Sequence, residues 1–166
     1  ISYATGAKYT GEMFSNNYHG KGRYIDPDGK LLSCDNWYLG KMNGVCTEVQ
    51  GDRTIEGKYE YGLRVGEHTT TTSSGDIRVT KYKQGLRDGL EVYKFAMGEV
   101  QNTLFKSGNP VKFEALFTNG NRRVSYFDDK GLLVREVFYF SNGEVNDCRF
   151  TEDQKICDNR LSEGEK

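Results

Sequence analysis

The sequence predicts an all-β chain: an elongated, twisted antiparallel meander in a single layer, built of about six hairpin repeats of about 23 residues each. Three observations predict it. Glycines fall in two interleaved series that share one period. Gly20, Gly44, Gly66 and Gly89 step by 24, 22 and 23 residues, and Gly29, Gly51, Gly75, Gly98, Gly120 and Gly143 step by 22, 24, 23, 22 and 23. Aromatics keep the same beat, Tyr59, Tyr82, Phe105, Phe127 and Phe150 lying 23, 23, 22 and 23 residues apart. Between the glycines, segments such as 89–95 (GLEVYKF) and 111–117 (VKFEALF) alternate polar and apolar residues, which places successive side chains on opposite faces of a sheet.

In chain order the strands are expected over 8–14, 21–26, 30–39, 45–50, 53–61, 67–72, 76–83, 90–95, 99–106, 111–117, 121–127, 132–140 and 144–151, with a short last one at 155–158. Turn chemistry separates them. The first glycine series is read as the ends of one set of turns. The second set carries Pro27-Asp28-Gly29, Ser73-Ser74-Gly75, Asn119-Gly120 and Asn142-Gly143, residues suited to positive φ or tight reversal. The first series lapses at Lys112 and Arg135, where Ser107-Gly108-Asn109-Pro110 and Asp128-Asp129-Lys130-Gly131 keep the turns. Short connections pair every strand antiparallel with its sequence neighbour, and no stretch shows a helical period with a capping residue. The repeats cover about residues 8–151 of a single domain 1–166, with a C-terminal cap over 152–166.

An apolar content of 36% argues against a large spherical core. The balance of 23 basic and 24 acidic residues, a net of −1, gives no general attraction to nucleic acid or to an anionic membrane, although a local patch leaves lipid contact open. The longest apolar run, 132–140, is broken by charges and falls short of the roughly 18 residues of a span. A chain that starts at Ile1 and not at Met reads as trimmed or mature.

Four cysteines are present, Cys34, Cys46, Cys148 and Cys157, with no C-x-x-C spacing to support zinc. A hairpin turning near Glu152-Asp153 sets Cys148 and Cys157 opposite each other, at a cross-strand separation close to what a disulfide needs. Cys34 and Cys46 also flank a hairpin, but the expected strands offset them by several residues. Free thiol pairs are the alternative. Disulfides favour a periplasmic or secreted chain over a cytoplasmic one.

The first unit carries a family signature. Tyr9-Thr10-Gly11-Glu12-Met13-Phe14, His19-Gly20-Lys21-Gly22-Arg23-Tyr24 and Pro27-Asp28-Gly29 together resemble one MORN repeat. Ile55-Glu56-Gly57-Lys58-Tyr59 and Val65-Gly66-Glu67-His68 keep its outline, and Gln84–Tyr93 (QGLRDGLEVY) resembles the bacterial variant of that repeat. The resemblance implies a non-catalytic hairpin array that serves as an interaction or assembly module. Phospholipid contact has been proposed for some members, and many bacterial ones carry the label antitoxin or immunity protein.

The residues that could carry chemistry are few. His19 occupies a turn position of the motif, and His68 opens the exposed-looking run Thr69-Thr70-Thr71-Thr72. Both read as structural. The acid pairs Asp128-Asp129 and Glu152-Asp153 lie in turns, and neither calcium-loop nor phosphate-loop spacing occurs. No catalytic residue, cofactor or metal site is therefore expected. Trp37, Tyr59, Tyr82, Tyr93 and Phe105 are the candidate partner-binding residues, since aromatics anchor protein interfaces. The expected function is protein binding, in its sharpest form the neutralisation of a bacterial toxin. The alternative is a structural or membrane-associated scaffold that self-associates, as a homodimer for example, through its edge strands.

Overall fold

The computed structural model describes residues 1–161 of the 166-residue chain; the last part of the expected 152–166 cap lies outside the described residues. Among the described residues there is no helix. The strands are β1 (Lys8–Phe14), β2 (Asn17–Ile25), β3 (Leu31–Tyr38), β4 (Lys41–Gln50), β5 (Arg53–Glu60), β6 (Leu63–Thr72), β7 (Ile77–Lys83), β8 (Leu86–Arg87), β9 (Gly89–Lys94), β10 (Val100–Lys106), β11 (Asn109–Leu116), β12 (Arg122–Phe127), β13 (Leu133–Tyr139), β14 (Glu144–Phe150) and β15 (Lys155–Leu161). They follow one another in sequence order through an open antiparallel meander, with the two-residue β8 set off the path against β7. The sequence reads as one repeat domain; the folded chain divides into two compact units, Ile1–Leu86 and Arg87–Lys166.

The first glycine series does not end turns. The turns on that side are two-residue reversals at Ser15-Asn16, Leu39-Gly40, Tyr61-Gly62, Gln84-Gly85 and Ser107-Gly108, each with positive φ at both positions. That conformation matches the right-handed twist of the flanking strands. Gly20, Gly44 and Gly66 instead sit at β-bulges a few residues later, where the pairing skips from Gly11↔Gly22 to Glu12↔His19, from Cys34↔Cys46 to Asn36↔Asn43 and from Gly57↔His68 to Lys58↔Val65. These glycines have φ of 56°, 76° and 68°, a region that disfavours other residues. The expected strand starts at 21, 45 and 67 are thereby corrected: β2, β4 and β6 begin at Asn17, Lys41 and Leu63, four residues earlier, because the strands run through the bulges.

The lapse of this glycine series has a physical reason. In the second unit the pairing skips one residue, Val111 between Leu104↔Lys112 and Phe105↔Pro110, and Val134 between Tyr126↔Arg135 and Phe127↔Leu133. Neither valine has positive φ, so no glycine is required.

Successive hairpins are tied together at the turns. The N–H groups of Gly40, Gly62, Gly85 and Gly108 donate to the carbonyls of Tyr18, Met42, Arg64 and Arg87 at 2.8–2.9 Å, each acceptor lying two residues beyond the preceding turn. At the opposite ends of the strands, the N–H groups of Gly29, Gly75, Gly98, Gly120 and Gly143 close short loops on Asp26, Thr72, Phe95, Phe117 and Phe140.

The core of the first unit is one sheet face. Tyr9, Cys34, Trp37, Cys46 and Tyr59 form it, with Tyr18, Tyr24, Leu32 and Met42 packed at its margin. Glycine makes room for the large rings. A Cβ on Gly22 would overlap the Tyr9 ring, and one on Gly57 would overlap the His68 ring. Each glycine of the first series also faces an aromatic across the ladder: Gly20↔Trp37, Gly44↔Tyr59, Gly66↔Tyr82 and Gly89↔Phe105. The shared period of glycines and aromatics is this pairing.

Candidate functional site

The five aromatics singled out by sequence are mostly inside. Trp37, Tyr59 and Phe105 are 3%, 3% and 7% exposed, and Tyr82 and Tyr93 are half-buried. The Trp37 indole donates from Nε1 to the Gly22 carbonyl at 3.0 Å. Three of the five thus have no ring face left for a partner, because a ring laid over a glycine of the first series is spent on packing. Period alone could not separate aromatics that face glycines from those that face solvent.

Both cysteine pairs are disulfide-bonded. Cys148 stands opposite Cys157 between β14 and β15, and Cys34 opposite Cys46 between β3 and β4. The several-residue offset expected for Cys34 and Cys46 is corrected by the position of the turn, Leu39-Gly40, which centres that hairpin between them.

A polar cluster interrupts the packed face of the first unit. Glu48 is 6% exposed and accepts hydrogen bonds from the Tyr59 hydroxyl and from Arg64 (3.0 Å), while Lys30 pairs with its other oxygen at 3.0 Å. Burial alone would raise its pKa; the bonds from Tyr59 and Lys30 and the charge of Arg64 outweigh that and hold the carboxyl below its ordinary range. The Arg64 guanidinium also reaches the Tyr59 and Tyr82 hydroxyls at 3.0 and 3.3 Å. This carboxylate is fully engaged in holding three strands together.

His68 lies beside that cluster, 2% exposed, its ring 5.0 Å from the rings of both Tyr59 and Tyr82. Nε2 donates to the Lys58 carbonyl at 2.9 Å, and Nδ1 is buried without a hydrogen-bond partner. Burial lowers its pKa. His19 leans against Phe14 and Tyr38, at centroid distances of 5.4 and 5.7 Å. Each imidazole packs against aromatic rings, edge-on at His68 and tilted at His19.

Each unit presents an aromatic row, exposed in the first unit and largely half-buried in the second, of which sequence reasoning had named only Tyr93. In the first unit Phe14, His19, Tyr38 and Tyr61 contact one another in series, the last pair at 5.6 Å. Phe14, Tyr38 and Tyr61 are 58%, 42% and 64% exposed. Tyr61 and Leu39 occupy first positions of the two-residue turns, at φ of 50° and 47°. Bulky side chains are uncommon in that conformation, so the turns hold them against a local cost.

In the second unit the row lies at the opposite ends of the strands. Phe95, Phe117 and Phe140 immediately follow β9, β11 and β13, one at the entrance of each loop. Tyr93 and Phe138 precede two of them on the same face; Tyr93 and Phe95 approach to 4.0 Å, and Phe138 and Phe140 stack at 6.4 Å. Arg123 pairs across from Phe138 and lays its guanidinium 4.8 Å from the Phe113 ring and 6.0 Å from that of Phe138. The available signal was an aromatic three residues before glycines of the second series, present at Gly98, Gly120 and Gly143 and absent at Gly29, Gly51 and Gly75, where Asp26, Glu48 and Thr72 stand instead.

Among the described residues no group of His, Cys, Asp and Glu is arranged to hold a metal ion, and no helix is long and apolar enough to cross a membrane. No protein-family model matches the chain, and no curated relative matches it. Among solved structures it is similar to the SAS-4 (dCPAP) TCP domain of Drosophila melanogaster, in complex there with a proline-rich motif of Ana2 (dSTIL). The TM-score is 0.47 and the identity 14%, over 95% of this chain and 92% of that one. A likeness at that level bears on neither partner nor activity.

Proposed function

We propose that the protein is a non-catalytic protein-binding module. The observation that carries this reading is the pair of aromatic rows, exposed in the first unit and largely half-buried in the second, on a sheet that has no helix packed on it among the described residues. Half-buried rings on a rigid support supply contact area at small entropic cost. Glu48 and His68 are engaged in the packing of the first unit, and Asp147 in the second is paired with Arg135.

In its sharpest form the module is an immunity protein of the MORN-repeat type that covers a bacterial toxin. The MORN-like first unit supports that form, with Tyr9 packed over Gly11 and Gly22 of its own motif. The test is recovery of a partner from the source cell with the full chain and with Tyr38→Ser/Tyr61→Ser and Phe117→Thr variants. A partner lost with either surface supports the reading; a partner held equally by all three sinks it. For the toxin form, co-expression must restore growth to cells producing the partner.

A second reading, self-association through an edge, is favoured by β15, in which all seven residues are exposed, Ile156 and Leu161 at 62% and 72%.

A further inference from the structure

The protein-binding reading leaves the kind of partner open, and the charges of the second unit narrow it. The pairings from β9 to β15 line up three unbroken rows of directly opposed residues, and residues opposed in this way point to the same face. The two outer rows are basic. One carries Lys112, Arg135 and Arg149, the other Lys94, Arg122 and Arg160. The middle row carries the acids Glu114, Asp147 and Asp158. Six cations thus share one face with three carboxylates. The other face shows no such excess: Glu91, Glu136 and Glu144 stand there with Arg123 and Lys155, and Glu99 and Arg87 adjoin it.

The carboxylates are also the lower-lying groups. Arg122 donates to Glu114, and Arg135 donates to both oxygens of Asp147 at 2.9 and 2.6 Å. The Glu114 and Asp147 side chains are 25% and 10% exposed, against 43% and 40% for their arginines, so each pair turns its guanidinium to solvent. Arg149 stands directly opposite Arg135, an arrangement of like charges that costs stability. Asp147 neutralises Arg135, whereas Arg149 has no hydrogen bond or ion pair among the described residues. With Arg160 the two line a hollow of about 300 Å³, whose other walls are Asp147, Asp158 and Ile156.

We infer that this face binds an acidic segment of a partner protein, with a carboxylate seated in the hollow beside Arg149. The inference rests on the protein-binding reading and on charge complementarity within the second unit. The face also offers apolar contact. Leu90 and Leu104 are exposed in the row of Lys112, and Leu116 is exposed in the row of Arg122. Other polyanions fit this pattern less well. Lys112 and Arg122 lie over the Tyr126 and Tyr139 rings at 5.9 and 5.1 Å, which engages the aromatics that would stack on the bases of a single-stranded nucleic acid. An anionic lipid surface calls for an unbroken basic cluster, and here carboxylates run between the two basic rows.

The test titrates the full chain with three acetylated peptides, (Glu-Leu-Glu)3, (Gln-Leu-Gln)3 and (Lys-Leu-Lys)3, by calorimetry or amide-shift mapping. The expected result at about 0.05 M salt is saturable binding of the first, weaker by tenfold or more at about 0.5 M, with the other two weaker by the same margin. Lys112→Glu/Arg149→Glu should cost tenfold or more, and Lys112→Gln/Arg149→Gln a smaller loss in the same direction. Lys130→Glu/Lys155→Glu, which changes the net charge equally away from this face, should bind as the parent does. Equal binding of (Gln-Leu-Gln)3 overturns the inference, as does an equal loss in the Lys130/Lys155 variant or none in a Lys112/Arg149 variant that keeps its circular dichroism. Tighter binding of a single-stranded oligonucleotide or of phosphatidylserine vesicles through Arg149 overturns it too. The two readings fail separately. A cellular partner that survives Lys112→Glu/Arg149→Glu but is lost with Tyr38→Ser/Tyr61→Ser leaves the protein-binding module standing and removes the acidic segment from this face.

Discussion

At the scale of single residues, His68 makes stability depend on pH. Its folded-state pKa lies below the free value of about 6.5, so the unfolded chain takes up a proton that the folded one refuses. The stability it contributes is complete above about pH 6.5 and declines as the pH falls beneath that value. Urea unfolding at pH 7.5 and 5.5 should show the loss, with a slope no steeper than about 1.4 kcal/mol per pH unit for one proton, and His68→Phe should flatten it. Gly57 lies beneath that ring. Gly57→Ala should cost about 1–3 kcal/mol by thermal denaturation, since the added carbon overlaps the imidazole. The opposite sign is expected at Leu39, where Leu39→Asn should stabilise by about 0.5–1 kcal/mol by relieving a left-handed conformation that asparagine tolerates. None of these three roles could be read from the residues alone. His68 reads as the start of an exposed threonine strand, and only its pairing with Gly57 turns it inward.

At the scale of the element, the sequence showed the strands more fully than their ends. The alternation in 89–95 and 111–117 identifies β9 and β11 directly. The starts of β2, β4 and β6 were hidden because a glycine in a bulge and a glycine in a turn look alike in one dimension, both being chosen for positive φ. The same ambiguity hid the Cys34–Cys46 bridge. The visible bridge, Cys148–Cys157, depended only on a turn near Glu152-Asp153, which is where Thr151 and Gln154 close it. That bond holds an edge strand whose every side chain is exposed. Replacing both cysteines by serine should cost about 2–3 kcal/mol, and the amides of β15 should lose their exchange protection first, with β3 and β4 unaffected.

At the scale of the whole molecule, a sheet that never closes has two free margins. On one side Ile1 exchanges hydrogen bonds with Tyr9 and so covers part of β1. On the other, the outer edge of β15 pairs with no further strand among the described residues. Sedimentation across a concentration series should show association, and Ile156→Lys with Leu161→Lys should abolish it, because charge on an edge strand opposes further pairing. A monomer at all concentrations would remove the self-association reading without touching the aromatic rows.

Because each turn glycine hands its N–H to a carbonyl just past the previous turn, a hairpin is bonded to its predecessor by a joint that recurs from Gly40 to Gly108. A gene that gained or lost one such brick between equivalent joints would splice back together with inside and outside preserved, whereas a slip of a single codon would swap them. Every brick added to the second unit would lengthen its row by two strands. The extent of the aromatic row would then grow by copy number while the individual loops stay as they are.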